Sequence, residues 1–336
     1  MPFLAHFNLV ERPFALTPNS QLYFPSDSHQ QVLTPLSYAI ERGEGIIKVS
    51  GEVGTGKTLM CRILTGELVK TKAVAYILNP QNDPDWIVTA VCREFGLDPE
   101  HSRDPFHLLN GFLLEQYQKR RPAVLVVDEA QALGLEGLEA VRRLSNLETE
   151  TAKLLQIVLF GQPELDRLLR SHALRQLNQR IVFSFTIQPL SEETMIDYIR
   201  YRVILSSGNL VNAHQAIISS GSLAAAQKLF DGEALRRIAR VSKGVPRLAN
   251  IIADKSLLAA FSADAQQVTR RHVEEAIADS SHLLPRWDRL GALSAAGPAI
   301  AAGLVIGIVG LWAFVDAASD GWTLSGALAG LLGGSG

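Results

Sequence analysis

Apolar residues follow two rhythms along this chain. In its first half, short runs rich in β-branched residues and leucine alternate with amphipathic stretches of helical period. Ile46–Ser50 (IIKVS), Ala73–Leu78, Val124–Asp128 (VLVVD), Leu154–Phe160 (LLQIVLF) and Ile181–Ile187 predict five strands. His29–Arg42, residues 57–70, Asp85–Phe95, Pro105–Lys119, Gly137–Leu147 and Pro163–Leu169 predict the helices around them. Strands alternating with helices imply an α/β fold built on a doubly wound parallel five-stranded sheet.

Beyond Pro189 the strands stop. Ser191-Glu192-Glu193-Thr194 caps a helix running to about Ser206, and Gly232–Val241, Pro246–Phe261 and Thr269–Ala278 follow as helices, so an all-helical domain is expected from residue 189 to 283. Ahead of the sheet, prolines at 2, 13, 18, 25 and 35 predict an extended lead and one helix within residues 1–45. The α/β domain then covers residues 46–188.

A third pattern closes the chain. From Leu290 to Val315 no side chain is ionisable, a length that crosses a bilayer as one helix, with a buried hairpin or an amphipathic partner helix as the alternative that its Gly and Ala content and Pro298 leave open. Arg286 and Arg289 precede it while Asp316 and Asp320 follow, so the positive-inside bias assigns the large N-terminal part to the cytoplasm. Ala295, Ala299, Gly303 and Gly307 give that span a small-residue face, suited to close helix packing in lipid. A linker and transmembrane helix over 284–316 and a short periplasmic or interfacial tail over 317–336 complete the expected order.

The glycines of GEVGTGKT at 51–58 give the rhythm a chemistry. They follow the first strand and open a helix, the context in which a glycine-rich turn cradles phosphate. Gly51, Glu52, Val53, Gly54, Thr55, Gly56, Lys57, Thr58 and Leu59 form the expected nucleotide cradle, on which the extended segment and helix of residues 1–45 are expected to pack. Lys57 brings a positive charge to the β- and γ-phosphates, and the Thr58 hydroxyl ligates Mg2+. The third strand ends in VLVVDEAQ at 124–131, where ligands of open α/β sheets bind. Asp128 is then a second magnesium ligand and Glu129 the carboxylate that orients or deprotonates a water. A strand running into an acidic helix cap is the alternative for that pair alone.

Composition removes some classes. Acidic and basic residues number 34 and 32, so no basic footprint points to nucleic acid. Cys61 and Cys92 are far apart and match no metal spacing; both fall in apolar helical stretches, as reduced core cysteines do.

The phosphate loop, the DEAQ strand end and the helical lid together resemble the AAA+ ATPases. More narrowly, the chain resembles the bacterial secretion-associated ATPases typified by general secretion pathway protein A and the MSHA pilus biogenesis protein MshM. The matching blocks include FNLVERPFALTPNSQLYFPSDSHQ at 7–30, LVVDEAQ at 125–131, LQIVLFGQPEL at 155–165, LNQRI at 177–181, PLSEETMIDYIRYRV at 189–203 and KGVPRLAN at 243–250. The resemblance implies that Gln162 senses the γ-phosphate or water, with a turn before Pro163 as the alternative. It makes Arg180 an arginine finger reaching a neighbour's nucleotide, with Arg175 as rival and a surface salt bridge as a third option. Arg247 becomes a second sensor that couples lid angle to nucleotide state, since a lone arginine at a helix N-terminus opposes the helix dipole and needs another reason to be there.

A finger in trans implies a homo-oligomeric ring, a hexamer by family analogy. ATP and Mg2+ are the implied ligands, the bacterial inner membrane the location, and envelope secretion or pilus assembly proteins the partners. Secretion protein A relatives carry a peptidoglycan-binding domain after their membrane helix. Only residues 317–336 follow here, which favours an MshM-like role in assembling a pilus or secretion complex. Two other classes compete: a DNA-binding ATPase like the transposition regulators, which the charge balance and the apolar span oppose, and a nucleotide-gated scaffold with little turnover, which Glu129 opposes.

Overall fold

The computed structural model describes residues 2–15, 23–43, 45–208 and 229–281. Five parallel strands, β1 (Ile46–Gly51), β2 (Ala73–Ile77), β3 (Ala123–Val127), β4 (Leu155–Gly161) and β5 (Ile181–Ile187), form one sheet in the order β2-β3-β4-β1-β5. Ser50 of β1 lies opposite Gly161 of β4 and Thr186 of β5. The C-terminal ends of β3, β4 and β1 are therefore consecutive along one edge, and the residues that follow each strand converge there.

Both faces of the sheet are covered, which explains why its central strands are apolar without alternation. On one face, helices α2 (Asp27–Arg42) and α3 (Lys57–Leu68) pack Leu36, Ala39, Met60, Cys61 and Leu64 against Ile47, Val49, Val124, Val126, Val158 and Phe160. On the other, α4 (Pro84–Glu94), α5 (Pro105–Gln118) and α6 (Gly134–Leu144) cover Ala75, Ile77, Leu125, Val127, Ile157 and Leu159. Strand β5 is an edge, and Val182, Ser184 and Thr186 on its outward side are exposed.

After α7 (Pro163–Leu169), α8 (Arg175–Asn178) and β5 come the helices α9 (Glu192–Ser206), α10 (Gly232–Ser242), α11 (Pro246–Ser262) and α12 (Arg270–Asp279). Ser191 caps α9 by accepting the Thr194 N–H at 3.1 Å, and Asp231 caps α10 by accepting that of Ala234 at 2.6 Å. Residues Met1–Ile277, sheet and helices together, form one compact unit.

Two expectations are corrected. The lead is not wholly extended: Pro2–His6 is a short helix, α1; its Phe3 and the following Phe7 meet Phe261, while a ring nitrogen of His6 bonds the Ala265 carbonyl at 3.0 Å. Helix α6 runs from Gly134 to Leu144, about a turn ahead of the predicted Gly137–Leu147. A 3-10 turn at Ala130–Leu133 feeds directly into it, and Leu147 is already in the return to β4, accepting the Leu154 N–H at 3.0 Å. The apolar run 290–315 and the tail lie outside the described residues; among those residues, no helix is long and apolar enough to cross a membrane.

Candidate nucleotide site

Between β1 and α3 the chain turns on itself through Glu52–Gly56. Thr55 closes the turn, its N–H and hydroxyl both donating to the Glu52 carbonyl at 3.3 and 2.9 Å. Gly54, at φ +83°, has no room for a side chain, because a Cβ there would stand 2.7 Å from the Cβ of Arg247 and 3.0 Å from Val245. Lid and loop are thus in direct contact, and the Arg247 N–H donates to the Gly54 carbonyl at 3.3 Å.

Lys57 is buried and curls back over its own loop, its ammonium donating to the Gly51 and Glu52 carbonyls at 2.8 Å each. Burial lowers its pKa, opposed by the nearby carboxylates of Glu129, Asp128 and Glu52. Phosphate oxygens arriving at the loop are stronger acceptors than those carbonyls and suit the same ammonium.

Asp128 leaves the end of β3 fully buried. One carboxylate oxygen accepts the Glu129 N–H at 2.9 Å, and the other, Oδ2, is buried with no hydrogen-bond partner. Burial raises its pKa, and a hydrogen bond with Thr58 pulls the other way. An orphaned carboxylate oxygen beside a hydroxyl suits a small hard cation that keeps phosphate and water oxygens as its other ligands. Thr58 and Asp128 therefore fit Mg2+. No group of three or more His, Cys, Asp or Glu side chains among the described residues offers an all-protein metal cage. Cys61 lies beside Asp128, and burial first, then that carboxylate, pushes its thiol pKa well up.

Glu129 does not cap the turn that follows it; its backbone is left-handed, at φ 50° and ψ 41°. Its carboxylate instead accepts the Gln162 side-chain amide at 2.7 Å and that of Gln131. Gln162 sits at the start of α7 without a side-chain cap bond, so its amide is directed to Glu129 and not to a local turn.

A cleft of about 290 Å³ is lined by Val53, Gly54, Gly56–Leu59, Glu129, Arg247 and, from the lid and N-terminal segment, Tyr198, Arg202, Asn250 and Ala15. Exposed Arg247 reaches it from the first turn of α11, and Gln162 stands behind Glu129. Arg180 is elsewhere. It precedes β5 at the opposite end of the strands, where its carbonyl accepts the Ile46 N–H at 3.0 Å and its guanidinium donates to the Ser145 hydroxyl at 3.0 Å. Arg175 is exposed on α8.

Several residues of this site give no sequence signal. His29 of α2 is buried under the loop, one ring nitrogen 2.9 Å from the Thr55 carbonyl, and burial lowers its pKa. Arg202 of α9 is buried with no carboxylate partner among the described residues: it donates to the Pro13 carbonyl at 2.7 Å and the Tyr198 hydroxyl at 3.0 Å, and Tyr198 donates on to Asn250 at 2.9 Å. The N-terminal segment is thereby clasped to the lid beside the cleft.

Comparison with known proteins agrees with this geometry. A family described as "AAA domain" matches residues 40–169. "General secretion pathway protein A" of Aeromonas hydrophila is 37% identical over 267 residues, which are 78% of this chain and 45% of that protein. The chain thus spans under half the length of this relative. The ADP form of the Aeropyrum pernix ORC2 protein superposes with a TM-score of 0.56 at 14% identity, over 80% of this chain and 72% of that one. Drosophila ORC bound to DNA gives 0.54 at 23% identity, over 77% and 64%. At such identities the two structures establish the shared fold alone.

Proposed function

The chain belongs to the AAA+ ATPase family of general secretion pathway protein A, and from that premise we propose that it hydrolyses ATP to assemble or operate a bacterial envelope machine, in pilus biogenesis or type II-like secretion. The observation that carries the enzymatic part is the convergence of Lys57, Glu129 and Arg247 on one cleft, with the buried carboxylate of Asp128 close to the Lys57 ammonium.

In this scheme the loop amides and Lys57 hold the phosphates, and Glu129 accepts the proton of the attacking water. When bound with ATP, Mg2+ supplies charge neutralisation at the phosphates, held on the protein side by Thr58 and Asp128. Gln162 fixes the Glu129 carboxylate. Arg247 transmits the loss of the γ-phosphate to the lid, whose helix α11 already touches Gly54. Arg180, remote from its own loop, serves the nucleotide of a neighbouring subunit in a ring. The apolar run 290–315 anchors that ring in the inner membrane, with the ATPase on the cytoplasmic side.

Carbonate-washed membranes from the host should retain the full chain, and affinity capture after detergent extraction should recover envelope secretion or pilus components. Recovery in the soluble fraction would remove the membrane anchor. Salt-sensitive, ATP-dependent binding of duplex DNA without envelope partners would move the function to nucleic acid.

A further inference from the structure

The side chain of Gln131 performs no packing task that requires an amide, yet all of its hydrogen-bonding groups point to the catalytic edge. Its Nε2 donates to Glu129 Oε2, the same oxygen that accepts Gln162 Nε2 at 2.7 Å. Its Oε1 accepts the backbone N–H of Gln162 at 3.0 Å. Three residues from the ends of β3 and β4 therefore close a ring of hydrogen bonds. Gly161 leaves room for it, since a Cβ there would lie 3.2 Å from Gln131 Oε1.

The ring has a directional consequence. Both amide donors land on Oε2, while Oε1 of Glu129 accepts no hydrogen bond among the described residues. A carboxylate held by one oxygen presents the other in a fixed direction. Glu129 needs such a hold, because its backbone is in the left-handed region that side-chain-bearing residues seldom occupy. Gln131 is not among the residues that line the cleft.

We propose that Gln131 is a positioning residue for ATP hydrolysis: it aims the free oxygen of Glu129 at the attacking water and locks the carboxylate to the end of β4 through Gln162. This rests on Glu129 being the carboxylate that activates water.

The test is steady-state ATP turnover and ADP binding of the detergent-solubilised full chain, comparing Gln131→Ala, Gln131→Glu, Gln162→Ala, the Gln131→Ala/Gln162→Ala pair and Glu129→Gln. Gln131→Glu keeps an acceptor for the Gln162 N–H but cannot donate to Glu129, so it carries the test should Gln131→Ala not fold. Expected is a kcat lower by about 10- to 100-fold in both Gln131 variants, with KM and ADP affinity within about threefold of wild type. The double variant should lose no more than the worse single one, as members of one unit do. If Glu129→Gln is inactive while both Gln131 variants keep wild-type kcat, or if the two losses simply add, the positioning role is wrong and the Glu129 assignment stands. If Glu129→Gln retains turnover, both fall.

Discussion

Asp128 holds a carboxylate oxygen in the protein interior with nothing to bond to, and that arrangement costs stability until a cation arrives. Asp128→Asn removes the charge but keeps an acceptor for the Glu129 N–H. Its nucleotide-free form should melt about 2–4 °C higher than wild type by calorimetry, while magnesium-dependent turnover is lost. An unchanged or lower melting temperature would argue against a burdened carboxylate. His29 gives the opposite kind of signal, a pH dependence. Burial lowers its folded-state pKa, so below about pH 6.5 the unfolded chain takes up a proton that the folded one refuses. Its contribution is complete above that pH and falls away as pH drops through it, with a slope of at most about 1.4 kcal/mol per pH unit. Urea melts at pH 7.5 and 5.5 should show this loss in wild type and a smaller one in His29→Gln. At this scale, residues adjacent in sequence were legible: the loop at 51–58 and the pair Asp128-Glu129 state their chemistry by spacing. His29 and Gln131 were not, because the Thr55 carbonyl that His29 meets and the Gln162 N–H that Gln131 accepts lie 26 and 31 positions away and no period links them.

Strands were the easiest elements to find, since a run such as Ala123–Val127 buried on both faces must be apolar throughout. Helix ends were harder. Nothing in the sequence around Ala130 separates a 3-10 turn from the first turn of α6, and the helix therefore sits about a turn earlier than its periodicity suggests. The clasp between α9 and the N-terminal segment was hidden entirely, because Arg202 bonds a backbone carbonyl 189 positions away. Arg202→Leu removes that donor and leaves the Pro13 carbonyl and Tyr198 hydroxyl short of a partner. It should cost about 2–3 kcal/mol in chemical denaturation, and KM for ATP should rise because Ala15 and Tyr198 line the cleft. A variant as stable as wild type would mean that the segment is held by other contacts.

For the molecule as a whole, sequence periodicity yields five strands but not the order β2-β3-β4-β1-β5, which depends on which crossovers bring apolar faces together. Because all the strands run parallel, Arg180, which precedes β5, lies at the end of the sheet away from its own phosphate loop, while the order brings the phosphate loop, Glu129 and Gln162 together at the other. If Arg180 acts on a neighbour, Arg180→Ala and Glu129→Gln chains should each be inactive alone and regain part of wild-type turnover when mixed and allowed to exchange. Each mixed interface of one order then has an intact Glu129 facing an intact Arg180. Mixing that restores nothing would confine Arg180 to its bond with Ser145, a role within one subunit.

ATP turnover by the full chain, in wild type beside Lys57→Ala and Glu129→Gln, bears most directly on the site. Lys57→Ala should lose nucleotide binding together with turnover, since its ammonium lies over the loop that cradles the phosphates. Glu129→Gln should keep nucleotide bound while turnover drops by about 100-fold or more. Wild-type turnover in Glu129→Gln would contradict hydrolysis by this carboxylate.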